Sequence, residues 1–158
     1  MTSGQTYPME IVTIEKITVD SAETRIVTLV NNEYEEKAVR TAIAFQDAFN
    51  ESDTTATGAL LNYPHARVGA EGKLVVNEDA NHHMPPNFFK WFRENTGWNH
   101  SCWDIREVIQ SKEDKVHIKV QFSRYRADGS KIGSYPSLWV ITRQDGHWGI
   151  KMRSSFAR

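Results

Sequence analysis

The residues of this chain whose types and spacing could do chemistry are few: His65 with Arg67 two positions on, and the opposite charges Glu107 and Arg124 in strand-patterned segments. Imidazole titrates near neutral pH, so His65 could move a proton to or from a substrate without a large pKa shift. The same side chain could instead hydrogen-bond backbone and hold a helix hairpin on a sheet. In a strand, residues two apart share a face, so Arg67 would stand beside His65 and could clamp a carboxylate, orient an acid or form a salt bridge. Glu78-Asp79 and His82-His83 are metal-ligand types, but adjacent histidines in a strand or turn diverge, and without a second cluster no metal is expected. Ser154-Ser155 lacks the glycine elbow of nucleophilic hydrolases, and Gly69 and Gly72 are turn residues rather than a phosphate loop, so no cofactor is expected either.

These side chains must be positioned by the elements around them. From Trp98 to Phe156, strand-patterned segments are divided by turn signals at Ser111-Lys112-Glu113-Asp114, Arg126-Ala127-Asp128-Gly129-Ser130 and Gln144-Asp145-Gly146, which predicts a four-stranded antiparallel meander. Before it, Asn31 or Asn32 caps a helix over about Glu33 to Asn50, with Ala38, Ala42, Phe45 and Phe49 at helical spacing. Asp53 begins a shorter helix ending near Leu61. Pro64 disfavours helix at Tyr63, and a turn at Gly69 to Gly72 leads into Leu74-Val75-Val76, giving a small hairpin. A third helix is expected with Pro85 and Pro86 in its first turn, Phe88, Phe89, Trp91 and Phe92 buried on more than one face, and Gly97 at its end. Residues 1–30 carry the β-branched runs Ile11 to Ile14 and Arg25 to Val30 around Val19-Asp20-Ser21, read as an extra hairpin or a loose arm. The division expected is therefore residues 1–30 as an extension and 31–158 as one domain.

Alternation sets which residues face the core. Val116, Ile118, Val120 and Phe122 alternate with His117, Lys119, Gln121 and Ser123, so one face is buried and Arg124 falls on it. The same parity places Glu107 with Trp103, Ile105 and Ile109. Buried charges need partners or a wet cavity, so Arg124 and Glu107 are expected either to pair or to line a polar pocket. Trp103, Tyr135, Trp139 and Trp148 would supply flat apolar walls or plain core. Arg153 follows Met152 in the last strand and borders either the pocket mouth or a subunit interface.

Composition narrows the function classes. A chain of 158 residues suits one domain that buries roughly 70% of its unfolded surface. A formal net charge of -1 offers no broad basic field, which argues against nucleic acid as a partner. The single cysteine, Cys102, cannot form an internal disulfide, the first twenty residues hold no signal-like apolar run, and no window reaches the ~20 apolar residues of a membrane span. A cytoplasmic protein that binds no membrane is expected.

The order helix, helix, hairpin, helix, long meander resembles the NTF2-like superfamily over roughly Glu33 to Phe156. The residues that carry the resemblance are Asn62-Tyr63-Pro64-His65-Ala66-Arg67, Phe122-Ser123-Arg124-Tyr125 with Asp128-Gly129, and Asp145-Gly146-His147-Trp148 with Ser154-Ser155-Phe156. The chain looks like an uncharacterised bacterial branch of that superfamily, which also holds ketosteroid isomerase, scytalone dehydratase and SnoaL-type polyketide cyclases. The resemblance implies an α+β cone in which three helices from the N-terminal half pack on a strongly bent, mainly antiparallel sheet, with a pocket at the wide end and a homodimer formed through the outer sheet face. The outer face would include His117, Gln121 and Tyr125. Ketosteroid isomerase uses a carboxylate base where this chain has His65.

Two functions are carried forward. One is a small-molecule pocket protein, in its enzymatic form a cofactor-independent isomerase, dehydratase or cyclase, with His65 as acid/base, Arg124 stabilising negative charge, and Arg67, Trp103, Glu107, Tyr135 and Trp139 around the ligand. The other is a non-catalytic dimeric ligand-binding or interaction module.

Overall fold

The computed structural model describes residues 10–17 and 23–158, with side chains from residue 26 onward. The turn read at Val19-Asp20-Ser21 lies outside the described residues. On either side, β1 (Glu10–Ile17) and β2 (Glu23–Val30) pair antiparallel as a separate two-stranded sheet.

Helix α1 (Glu33–Asn50) starts where local chemistry requires it. Asn32 caps it, accepting the Glu35 N–H at 2.9 Å, while the Glu35 carboxylate accepts the Asn31 N–H at 2.7 Å. Its buried side holds Ala38, Val39, Ala42 and Phe45. Ser52, at φ 58°, breaks the helix, and Asp53 caps α2 (Thr54–Ala59) through the Ala56 N–H at 2.8 Å. The chain then enters β3 (Leu61–Val68), which contains a cis Tyr63–Pro64 bond, and turns back through β4 (Leu74–Asn77).

Helix α3 (Phe88–Thr96) departs from the sequence reading in two respects. Pro85 and Pro86 precede it instead of forming its first turn, and the left-handed Asn87 starts it. Its aromatic residues are buried mainly on one side: Phe89 and Phe92 pack against Trp98 and Phe49, whereas Trp91 is 57% exposed. Gly97, at φ 74°, ends the helix as expected.

The rest is the meander β5 (His100–Lys112), β6 (Lys115–Tyr125), β7 (Lys131–Gln144) and β8 (His147–Ser155). With β3 and β4 it forms a six-stranded sheet in the order β4-β3-β8-β7-β6-β5, antiparallel throughout except for the parallel β3–β8 pair. The fold is α+β as expected. In the main core, Val116, Ile118, Val120, Ile141 and Ile150 from the inner sheet face meet Val30, Ala38, Val39 and Ala42.

Two of the long strands do not alternate simply. In β5 the pairing with β6 slips between Trp103 and Ile105 and again between Val108 and Gln110, and in β8 the pairing with β7 skips Lys151. An extra residue in one strand reverses which side chains face inward beyond it. After the first slip Arg106 and Val108 turn inward, leaving Ile105, Glu107 and Ile109 exposed. Beyond Lys151, Arg153 shares the inner face with Ile150, and Met152 is exposed.

Candidate ligand site

Directly opposed residues in neighbouring strands point to the same side of a sheet, so the pairing identifies the inner rows. One row runs Ser101, Arg124, Gly133; the next Trp103, Phe122, Tyr135; further along lies Val108, Ile118, Trp139, Arg153, Arg67. The first and last rows bring arginines onto a face that is otherwise apolar. Gly133 matters locally, because a Cβ there would meet the Tyr135 hydroxyl at 2.8 Å. Without it, the Tyr135 ring packs against Arg124, whose Cζ lies 4.8 Å from the ring centroid.

A cavity of about 60 Å³ opens between α1 and these rows, lined by Phe45, Gln46, Phe49, Ser101, Phe122, Arg124, Trp139 and Arg153. Arg124 also packs on Phe92 and Phe122, and its Nη1 donates to the backbone oxygen of Arg158 at 2.9 Å. Its buried Nε–H has no partner among the described residues. Arg153 lies over the Phe45 ring at 4.7 Å and near Trp139 at 5.9 Å. Burial, with repulsion from Arg67, pushes the Arg153 pKa down to about 9, and burial lowers that of Arg124 as well.

Among the described residues, none of Arg67, Arg124 and Arg153 has an Asp or Glu side chain within ion-pair distance. A wider concavity at Glu33, Tyr34, Lys37, Glu113, Arg143 and Trp148 is different in kind. There the charges pair with each other, Lys37 with Glu33 and Arg143 with Glu113 and Asp114. Cations without counter-charges beside aromatic walls mark the smaller cavity as the place where an anion would be stabilised.

His65 lies behind the cavity wall and does not line it. It is 1% exposed, and both ring nitrogens are engaged. An arginine can only donate, so the 3.3 Å contact from Arg153 Nε makes His65 Nε2 the acceptor, and Nδ1 carries the proton given to the Ile150 carbonyl at 2.9 Å. Burial, then the charges of Arg153 and Arg67, bring its pKa down to about 3, so the ring is neutral at physiological pH. The backbone-bonding alternative for His65 is the one its geometry matches.

The other anticipated residues divide. Arg124 and Trp139 line the cavity and Tyr135 flanks Arg124, whereas Trp103, 2% exposed, packs edge-on against Trp139 at 5.4 Å within the core. Arg67 is exposed beside Arg153 in register. Glu107 is a correction: the β5 slip places it, exposed, on the outer face opposite Lys119, and it neither pairs with Arg124 nor lines a pocket with it. The parity that suggested the pair holds for β6 but not across an extra residue in β5. Of the two placements open for Arg153, the pocket is the one seen.

Sequence reasoning missed Gln46, Ser101 and Arg106. Gln46 lies four residues after Ala42 and three before Phe49, within the buried stripe of α1, and a polar residue in an apolar stripe was the signal available. Arg106 is 4% exposed, donates from Nε to Thr28 Oγ1 at 2.6 Å, and has its pKa pushed down to about 10 by burial, against the opposing pull of Asp47. It sits beneath β2, away from the cavity lining. His82 contacts Asp79 at 2.7 Å while His83 turns to the Ala80 carbonyl and Thr57, and among the described residues no group of three His, Cys, Asp or Glu side chains could hold a metal ion. No helix among the described residues is long and apolar enough to cross a membrane.

Solved structures share this architecture at low identity. An NTF2-like protein with a cystatin-like fold from Novosphingobium aromaticivorans superposes with a TM-score of 0.64 at 10% identity, covering 77% of this chain and 80% of its own. A protein of unknown function with a cystatin-like fold from Nostoc punctiforme gives 0.61 at 16% identity, covering 77% and 88%. A ketosteroid isomerase-like protein from Erwinia carotovora atroseptica gives 0.58 at 19% identity, covering 78% and 95%. At these identities the likeness is one of fold. No curated protein matches the chain. Residues 35–153 match the family described as NTF2-like protein (DUF6841), spanning α1 through most of β8, and the chain therefore belongs to that NTF2-like family.

Proposed function

We propose that this protein binds a small organic carboxylate between α1 and the inner sheet face, Arg124 and Arg153 holding the carboxylate, without proton transfer at His65. The observation that carries the reading is a cavity flanked by two arginines with no Asp or Glu partner among the described residues. Guanidinium groups bind carboxylates through paired N–H donors, and aromatic walls exclude the water that would weaken the contact. The space of about 60 Å³ suits a ligand of a few carbons and is well below the roughly 300 Å³ at which drug-sized pockets begin. His65 serves as a support, its lone pair fixing the Arg153 Nε–H and its own N–H tied to β8. This is the non-catalytic form of the pocket function.

The test is a titration followed by NMR, with propionate and its uncharged counterpart propionamide, on the parent protein and Arg124→Met. Propionate should shift signals around the cavity and propionamide should not, and Arg124→Met should lose the response. Equal responses to both compounds, or an unchanged response in the variant, would overturn the reading.

Self-association through the outer face is a further part of the proposal. His117 and Gln121 on that face already bond to Gln110 and Asp104, and Tyr125 stacks on His100. The free apolar surface comes instead from Ile105, Leu138 and Met152, each about two-fifths exposed. Sedimentation at micromolar concentration should give twice the chain mass, and a monomer would remove this element.

A further inference from the structure

Two polar groups in the cavity wall have hydrogen-bonding capacity that a plain carboxylate would leave unused. Gln46, 6% exposed, lines the cavity, and its carboxamide has no hydrogen-bond partner among the described residues. Ser101, 5% exposed, stands directly across from Arg124 in the β5–β6 register. Its Oγ accepts the Trp98 indole N–H at 3.0 Å, while its backbone N–H and carbonyl are both taken by Asn50 at 2.8 and 2.9 Å. One of the two serine lone pairs is thus occupied, and the hydroxyl proton has no acceptor among the described residues. Both residues line the cavity, so whatever fills it can complete their remaining hydrogen bonds.

Building on the carboxylate reading, we propose that the ligand is a short oxygenated carboxylate, a hydroxy or oxo acid, whose second oxygen takes the Ser101 hydroxyl proton and the Gln46 amide N–H. The lining supports this: it holds two cations, two neutral donors and the rings of Phe45, Phe49 and Phe122, which can enclose a short carbon chain. Size agrees as well. At about 10–15 Å³ per water position, the cavity holds roughly four to six water-sized centres, close to the six heavy atoms of a three-carbon oxygenated acid. A saturated acid of the same length would leave both donors unpaired, and a site built to hydrogen-bond a ligand oxygen discriminates against the analogue without it.

Calorimetric titration of propionate, lactate and pyruvate against the parent, Ser101→Ala, Gln46→Leu and the double variant tests the inference. At least one oxygenated acid should bind the parent about tenfold more tightly than propionate, the effect expected for one or two well-placed hydrogen bonds. The advantage, read as the ratio of oxygenated-acid to propionate affinity within each protein, should fall to within about twofold in the double variant. If Gln46→Leu does not fold, Ser101→Ala alone should still reduce the advantage by at least threefold. Propionate binding as tightly as both oxygenated acids, or an advantage surviving in the folded variants, would overturn this inference and leave the carboxylate reading standing. Failure of the folded parent to bind any of the three would overturn both.

Discussion

The inner face of the sheet has two ends built on opposite principles. At one, Val116, Ile118, Val120, Ile141 and Ile150, all at most 1% exposed, close against Val30, Ala38, Val39 and Ala42, and the cation beside them, Arg106 opposite Val120, is tied to Thr28. At the other, the same strands present Arg124, Arg153 and Ser101 to Phe45, Gln46 and Phe49, and a cavity remains. One sheet and one helix supply both. The contrast shows how a binding site is made within a core: stability is concentrated where small helix residues let aliphatic strands close, and large rings with guanidinium groups hold open the part where function resides.

The contrast breaks most severely at the closed end. Ile118→Ala should destabilise the protein by about 2–5 kcal/mol, because the vacated space is enclosed by neighbours that cannot collapse into it. A urea melt reads this directly, and a change under about 1 kcal/mol would mean that this end is not the packed one. At the open end, Arg124→Met should leave stability within about 1 kcal/mol of the parent or raise it, since a poorly compensated, partly buried cation gives way to an apolar chain of similar length. A large loss of stability there would make Arg124 structural.

The smallest effect concerns pH. His65 has a pKa of about 3 in the folded protein against an ordinary 6.5, so between these values the unfolded chain binds a proton that the folded chain refuses. The stability tied to a neutral His65 is therefore present above about pH 6.5 and is lost as pH falls toward 3. His65→Gln keeps an acceptor for Arg153 without a titrating group, so its stability should decline less than the parent's over that window. Parallel declines would show that His65 titrates normally.

How much of this was legible follows from the same geometry. The strand β6 runs without an internal slip from Lys115 to Arg124, so its alternation placed Arg124 and the aliphatic residues correctly. The helix α1 was legible because its cap and its apolar stripe agree. The strands β5 and β8 were not, since an extra residue is invisible in composition: Ile105, Glu107 and Ile109 look like an inward set, and nothing local says that Arg106 and Val108 replace them. His65 was found by residue type, but its role depends on Arg153, 88 positions away, which the skip at Lys151 turns inward.

That skip leaves β8 with one spare residue just ahead of the arginine that lines the site. Lys151 is held in place by its Nζ contacts to the Tyr63 carbonyl at 3.0 Å and to Gln144 Oε1 at 2.9 Å, and it adds no side chain to the cavity. Loss of its single codon would remove the extra residue and leave Met152 opposite Val140 and Arg153 opposite Trp139, so Arg153 would still face the helices. In a lineage carrying this fold, position 151 could therefore be substituted or lost without turning the arginine out of the cavity, so length can drift there while the lining stays the same.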